Sequence, residues 1–184
     1  MDLPGYVQPG VCIDMQVRCV EGMTMGDGTE HERVIRSLDE LKALLGQEIA
    51  VGQWVELTQD LVDRFVEATS EPQIDPSSAD QISQTSAGSI VPGFLLLSAG
   101  GIFGRGRRGI TIDLGGKLTV NYGMNRVRFP APVYVGQRVR TLTKLLDVEE
   151  IDHRAIQITR LQTIEIEGER EPACVAETLG RIYF

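Results

Sequence analysis

The spacing of apolar positions changes along the chain, and three regions separate on that basis. From residue 37 to residue 104 the apolar positions recur at helical intervals. Ser37-Leu38-Asp39-Glu40 reads as a capping box, in which the Ser hydroxyl accepts from the amide three residues on and the Glu carboxylate reaches back. Leu38, Leu41, Leu44 and Leu45 then share a face, and Gly46 ends the helix. Residues 53–57 read as a short strand. Thr58 is an N-cap for a second helix whose apolar stripe is Leu61, Val62, Phe65, Val66 and Ala68. Residues 70–90 hold Glu71-Pro72, Asp75-Pro76 and many Ser, and read as loop. A third helix starts at Pro92-Gly93 and runs through Phe94-Leu95-Leu96-Leu97-Ser98-Ala99-Gly100-Gly101-Ile102-Phe103. It is apolar nearly all round, which predicts burial on every side, and its small residues predict close approach of a sheet backbone.

From residue 110 onward the period shortens to that of strands. Residues 118–129, 138–148, 155–167 and 174–184 are long runs of β-formers separated by turns at Val135-Gly136-Gln137 and Glu167-Gly168-Glu169. Ile156, Ile158, Leu161, Thr163 and Ile166 do not keep one parity, which predicts a bulge or strong twist near residues 159–161. A fully apolar helix followed by a long meander predicts an α+β domain, a curved antiparallel sheet wrapped around a central helix. Residues 1–36 are rich in Gly, Pro, Met and charge. An apolar patch with alternation near residues 12–20 and turn chemistry at Gly26-Asp27-Gly28 predict a partly ordered arm ahead of a 37–184 domain.

Composition narrows the function classes. With 184 residues, 42% hydrophobic and 24% charged, the chain is an ordinary globular domain in size and make-up. A net charge of −8 and a pI near 4.8 argue against nucleic acid as the main partner, which needs clustered Lys and Arg. Three cysteines, Cys12, Cys19 and Cys174, lack metal-site spacing and read as reduced thiols. The chain shows neither a membrane-length apolar run nor a signal-peptide pattern. The expectation is a soluble cytoplasmic protein without a metal site.

Several stretches resemble the MaoC-like hotdog family, which includes (R)-specific enoyl-thioester hydratases. The strongest is Asn121-Tyr122-Gly123-Met124-Asn125-Arg126-Val127-Arg128-Phe129-Pro130-Ala131-Pro132-Val133-Tyr134-Val135-Gly136, similar to the family's N-Y-G…V-R-F-x-x-P-V…G-D stretch. Val91-Pro92-Gly93-Phe94 resembles the start of its central helix, residues 62–69 the helix before its catalytic loop, and residues 171–177 its last strand. The resemblance covers residues 37–184. It implies a hotdog fold, a homodimer, and an acyl thioester of coenzyme A or acyl carrier protein as ligand, with no separate cofactor. Dimerisation also suits the physics, because an open sheet of about five or six strands leaves its edges exposed unless they pair or are protected.

The resemblance places the thioester carbonyl at Gly93. First-turn amides lack intrahelical acceptors, and the helix dipole favours charge developing on an enolate oxygen. Pro92-Gly93 also reads simply as a helix start. The family's hydratases carry an Asp and then a His in a stretch like G-D-x-N-P-x-H-x-D; here that stretch is Thr69-Ser70-Glu71-Pro72-Gln73-Ile74-Asp75-Pro76. Glu71 falls where the Asp belongs, Asp75 fits the end of the motif, and the His is missing. The chain's two histidines, His31 and His153, match no catalytic position. Glu71 and Asp75 are therefore the acid–base candidates, or else residues of a solvated loop. Gly104-Arg105-Gly106-Arg107-Arg108-Gly109 has two readings: Arg105, Arg107 and Arg108 bind coenzyme A phosphates, or the segment is a solvated basic loop. Asn121 and Arg128 join the ligand-binding candidates through the matched strand motif. Two functions stay open, an enoyl-thioester hydratase or dehydratase with altered acid–base residues, and a silent acyl-binding subunit paired with an active homologue.

Overall fold

The structure, a computed structural model, describes residues 33–70, 89–103 and 106–184. The expected strand at 12–20, the candidates Glu71 and Asp75, and Arg105 lie outside the described residues. In chain order the elements are β1 (Arg33–Ile35), α1 (Leu38–Lys42), β2 (Glu48–Gly52), β3 (Val55–Glu56), α2 (Gln59–Thr69) and α3 (Gly93–Phe103). There follow β4 (Gly106–Ile112), β5 (Leu118–Arg128), β6 (Arg138–Asp152), β7 (Ala155–Ile166) and β8 (Cys174–Tyr183).

The helices begin where their caps dictate. The Ser37 hydroxyl accepts from the Glu40 amide at 3.2 Å, and the Glu40 carboxylate accepts from the Arg36 amide at 3.1 Å, one residue ahead of the cap. That second bond holds the Glu40 carboxyl below its ordinary range, because it favours the charged form. Gly46, at φ +77°, turns the chain into β2. Thr58 caps α2 through the Leu61 amide, and α2 ends with Ser70 in the left-handed region.

Among the described residues eight strands form one sheet in the order β1-β4-β2-β6-β7-β8-β5, with β3 beside β6. Its neighbours are antiparallel except β1 and β4, which run parallel. Hotdog α+β architecture is the result. The sheet is larger than sequence patterning suggests, because β1, β2 and β4 extend it beyond the meander. From Gly106 onward the basic segment after α3, for which a solvated loop is one of two readings of the sequence, is strand: Gly109 pairs with Ala50 and Arg108 with Val51. Pairing on both sides overrides weak local β-propensity.

One face of the sheet, called inner here, carries two apolar clusters. Leu95, Leu96 and Ala99 of α3 pack with Val139, Ile164, Ile166, Cys174 and Ala176. Leu41 of α1 and Ile35 of β1 pack with Ile49, Leu145, Val148, Ile156, Ile158 and Ile182. Burial pushes the Cys174 thiol up to about 11, which keeps it protonated and unreactive at neutral pH. The outer face is polar and cross-linked: Arg140 bonds Glu165 at 2.8 Å and stacks on Trp54, and Arg181 lies over Tyr122.

The expected slip in residues 155–167 is a bulge on the neighbouring strand. Leu145 pairs with Arg160 and Asp147 with Thr159, so Leu146 is the extra residue, in β6. β7 itself keeps parity: Ile156, Ile158, Ile164 and Ile166 are all buried on the inner face. The hydrophobic pattern breaks because Arg160 and Gln162 also point inward, between the two clusters.

Candidate functional site

The α3 helix is apolar all round, yet it is not buried all round. Leu95, Leu96, Ala99 and Gly100 face the sheet, while Phe94, Ser98 and Gly101 form an exposed stripe. Phe94 is 62% exposed. The expected close approach of a sheet backbone is not made at the two glycines: a Cβ at Gly100 would be in ordinary contact with Ile164 Cδ1 at 3.5 Å and Gln162 Oε1 at 3.6 Å, and Gly101 faces open space.

That exposed stripe is one wall of a cleft of about 510 Å³. Phe65 of α2, Phe94, Leu97 and Ser98 of α3, and Met124, Val127 and Phe129 of the β5 strand and its exit line it. Its volume lies within the range of small-molecule sites, as does its largely apolar lining with few polar groups. The Ser98 hydroxyl, the one polar side chain among those lining residues, is engaged with the Leu95 carbonyl at 3.0 Å.

The N-terminus of α3 opens at one end of this cleft. The amides of Leu95 and Leu96 turn back to the Pro92 carbonyl. Those of Gly93 and Phe94 have no acceptor among the described residues, as expected in a first helical turn. The Phe129 ring lies directly against Gly93: a Cβ there would stand 3.1 Å from its edge. Gly93 thus has a packing role, close approach of Phe129, in addition to any role toward a ligand. Phe94 and Phe129 meet edge to face, with ring centroids 6.3 Å apart.

The other sequence candidates scatter. Asn121 is exposed in β5 and pairs with Gly180, which puts it on the inner face beyond Met124. Arg128 points to the opposite face from Val127, and its Nη1 donates to the Val127 carbonyl at 2.7 Å. Arg126 reaches Glu177 at 3.5 Å. Neither arginine lines the cleft. Arg107 and Arg108 lie in β4, which pairs with β2 on the far side of β6, β7 and β8 from β5. His153 sits in the β6–β7 turn, beside the Ala155–Tyr183 pair. The cleft wall at Val127 pairs with Ala176, so His153 is displaced along β8 by seven residues, roughly 23 Å.

Sequence patterning missed the cleft as a cleft, although Phe65, Phe94 and Val127 were legible as apolar positions. The available signal was the helix with no polar side. Among the described residues no group of three or more His, Cys, Asp or Glu could hold a metal, and no helix is long and apolar enough to cross a membrane.

No protein-family model matches the chain. It is 38% identical over 152 residues to 3-hydroxyacyl-thioester dehydratase Z of Mycobacterium tuberculosis, an alignment covering 81% of this chain and 97% of that protein. The structure is similar to a MaoC-like dehydratase from Rhodospirillum rubrum (TM-score 0.57, 13% identity, covering 78% of this chain and 95% of the other). It is also similar to a chain of the ChsH1–ChsH2 complex of Mycobacterium tuberculosis (TM-score 0.52, 13% identity, covering 79% and 92%). The fold agrees across these proteins, and on sequence identity over nearly the whole length of its mycobacterial relative this chain belongs to the MaoC-like 3-hydroxyacyl-thioester dehydratase family.

Proposed function

We propose that this protein binds an acyl thioester, with the acyl chain in the α2–α3–β5 cleft and the thioester carbonyl at the first-turn amides of Gly93 and Phe94. One observation carries the reading: α3 leaves an apolar stripe uncovered, and that stripe faces a cleft that begins at its own N-terminus. An apolar chain replaces water along the stripe, at roughly 25 cal/mol per Å² of surface covered. The two amides and the helix dipole then meet the carbonyl, where an enolate oxygen would gain negative charge. Coenzyme A or acyl carrier protein is the carrier, and the thioester is the only small molecule this reading requires.

Two forms of the function share that binding mode. Hydration of an enoyl thioester adds a water oxygen at C3 and a proton at C2; dehydration runs the reverse. Both need one group to take a proton and one to give it. In the enzymatic form Glu71 and Asp75 share these roles, as paired carboxylates do when their environments differ. In the second form the chain binds without turnover and pairs with an active homologue. The remoteness of His153 from the cleft favours the second form.

Hydration of crotonyl-CoA, followed by loss of the enoyl-thioester absorbance, separates the two. Turnover that falls about 10²-fold or more in Glu71→Gln establishes the enzymatic form. Absence of turnover together with calorimetric binding of a saturated acyl-CoA establishes the binding form. Absence of both refutes acyl-thioester binding.

A further inference from the structure

The inner face of the sheet is interrupted by a polar band. Thr141 and Thr143 of β6, Arg160 and Gln162 of β7, and Thr178 of β8 separate the two apolar clusters. Arg160 is out of keeping with everything around it. The strand pairings fix its direction, because it keeps parity with the buried Ile158 and Ile164. Its guanidinium lies against the bare backbone of Gly180: a Cβ there would stand 3.1 Å from Nη1. Among the described residues no carboxylate pairs with it. The residue is half-buried; a charge partly withdrawn from water is costly unless something of opposite sign meets it, and loss of hydration holds its pKa below the ordinary value.

The band is continuous with the cleft. Arg160 pairs with Thr178, and Thr178 pairs with Met124, which lines the cleft. The guanidinium is therefore two strands in from the cleft wall, on the same face. Asn121, opposite Gly180, extends that face at the β5 side. A chain that starts at the α3 N-terminus beside Phe129 and passes Val127 and Met124 runs toward this cation. The Arg128–Val175 and Asn121–Gly180 pairs are five positions apart along β8, and from Phe129 the path is roughly 20 Å. The cleft is apolar along its walls and cationic beyond its far end.

We propose that Arg160 receives a carboxylate at the far end of the bound acyl chain, so that the site prefers ω-carboxyacyl thioesters to plain fatty acyl thioesters. This rests on the acyl-binding reading above and names its substrate class. A guanidinium offers a planar fork that matches a carboxylate, and a charge-assisted pair in a partly buried setting is stronger than a neutral hydrogen bond. Gly180, with no side chain, leaves room for Arg160 Nη1 close to the sheet. The neutral Thr178 and Gln162 flank it without competing as counter-ions.

The test is calorimetric binding of saturated acyl-CoAs and their ω-carboxy counterparts, from about eight to about sixteen carbons, chain lengths of the order of that path. The expected result is a gain of roughly tenfold or more in affinity from the ω-carboxylate at one or more lengths. Arg160→Gln should abolish the gain while leaving the plain acyl-CoA bound as before. Arg160→Lys, which keeps a cation without the fork, should retain part of it. The comparison in the unaltered protein stands even if Arg160→Gln fails to fold. Binding of plain acyl-CoAs with no gain at any length overturns the role of Arg160 and leaves the acyl-binding reading intact. A gain that survives Arg160→Gln also overturns it. Failure of both ligand series to bind removes the acyl-binding reading, and this proposal with it.

Discussion

At the scale of single residues, Gly93 shows how packing and function can be told apart. Its missing side chain admits the Phe129 ring at a distance where a methyl would be tight. That ring is 42% exposed and free to yield, while alanine is better than glycine in a helix by up to about 1 kcal/mol. The two effects oppose each other, so Gly93→Ala should change stability by less than about 1 kcal/mol in urea unfolding. The same methyl would stand at the amides assigned to the thioester carbonyl. Acyl-CoA affinity should then fall roughly tenfold, or about 1.4 kcal/mol. A large loss of stability with unchanged affinity would make Gly93 a packing residue and move the carbonyl elsewhere. Residues of this kind were partly legible in the sequence. The Pro-Gly helix start was visible from its own chemistry, but the ring that closes on it comes from 36 positions further along, and no local pattern reports that.

Elements were legible where local chemistry and tertiary context agree. Caps placed α1 and α2, and uniform apolarity placed α3. The long meander strands came out of β-former runs bounded by glycine turns. The misreadings share a cause, because local signal and tertiary environment diverge there. β4 reads as a basic loop yet pairs along both edges. The pattern in β7 reads as a slip because Arg160 and Gln162 occupy inward positions that would ordinarily be apolar. In α3, apolarity on every side was read as burial, whereas the structure assigns half of it to the core and half to a cleft. The two halves make a testable contrast. Leu96, 2% exposed, should cost about 2–5 kcal/mol when cut to Ala, as buried leucines do. Phe94→Ser should cost only about 1 kcal/mol, from one edge-to-face pair and a small change in helix propensity. Acyl-CoA binding should weaken clearly with Phe94→Ser. Chemical denaturation of both variants, with calorimetry on the second, checks the division. Equal destabilisation by the two changes would mean that the open stripe of α3 is structural.

At the scale of the whole molecule, the sheet of the described residues ends on β5, an 11-residue strand bonded there to β8 on one side. A long terminal strand presents a row of backbone donors and acceptors that invites another strand. It carries exposed apolar residues, Leu118, Tyr122 and Met124 among them, and its charged residues, Arg126 and Arg128, are confined to its C-terminal end. We propose that a second copy pairs there across a two-fold axis, which would join two sheets into one and bring two clefts close to a shared interface. The β5–β8 register shifts between Met124 and Val127, so Asn125 lies outside the regular ladder. Proline is tolerated at such a bulge but removes a backbone donor. Asn125→Pro should therefore leave the fold intact by circular dichroism and move the sedimentation mass from two chains toward one. An unaltered protein that sediments as one chain at micromolar concentration would refute the dimer. A variant that stays dimeric would move the interface away from the β5 edge, and the cleft would then be complete within one chain.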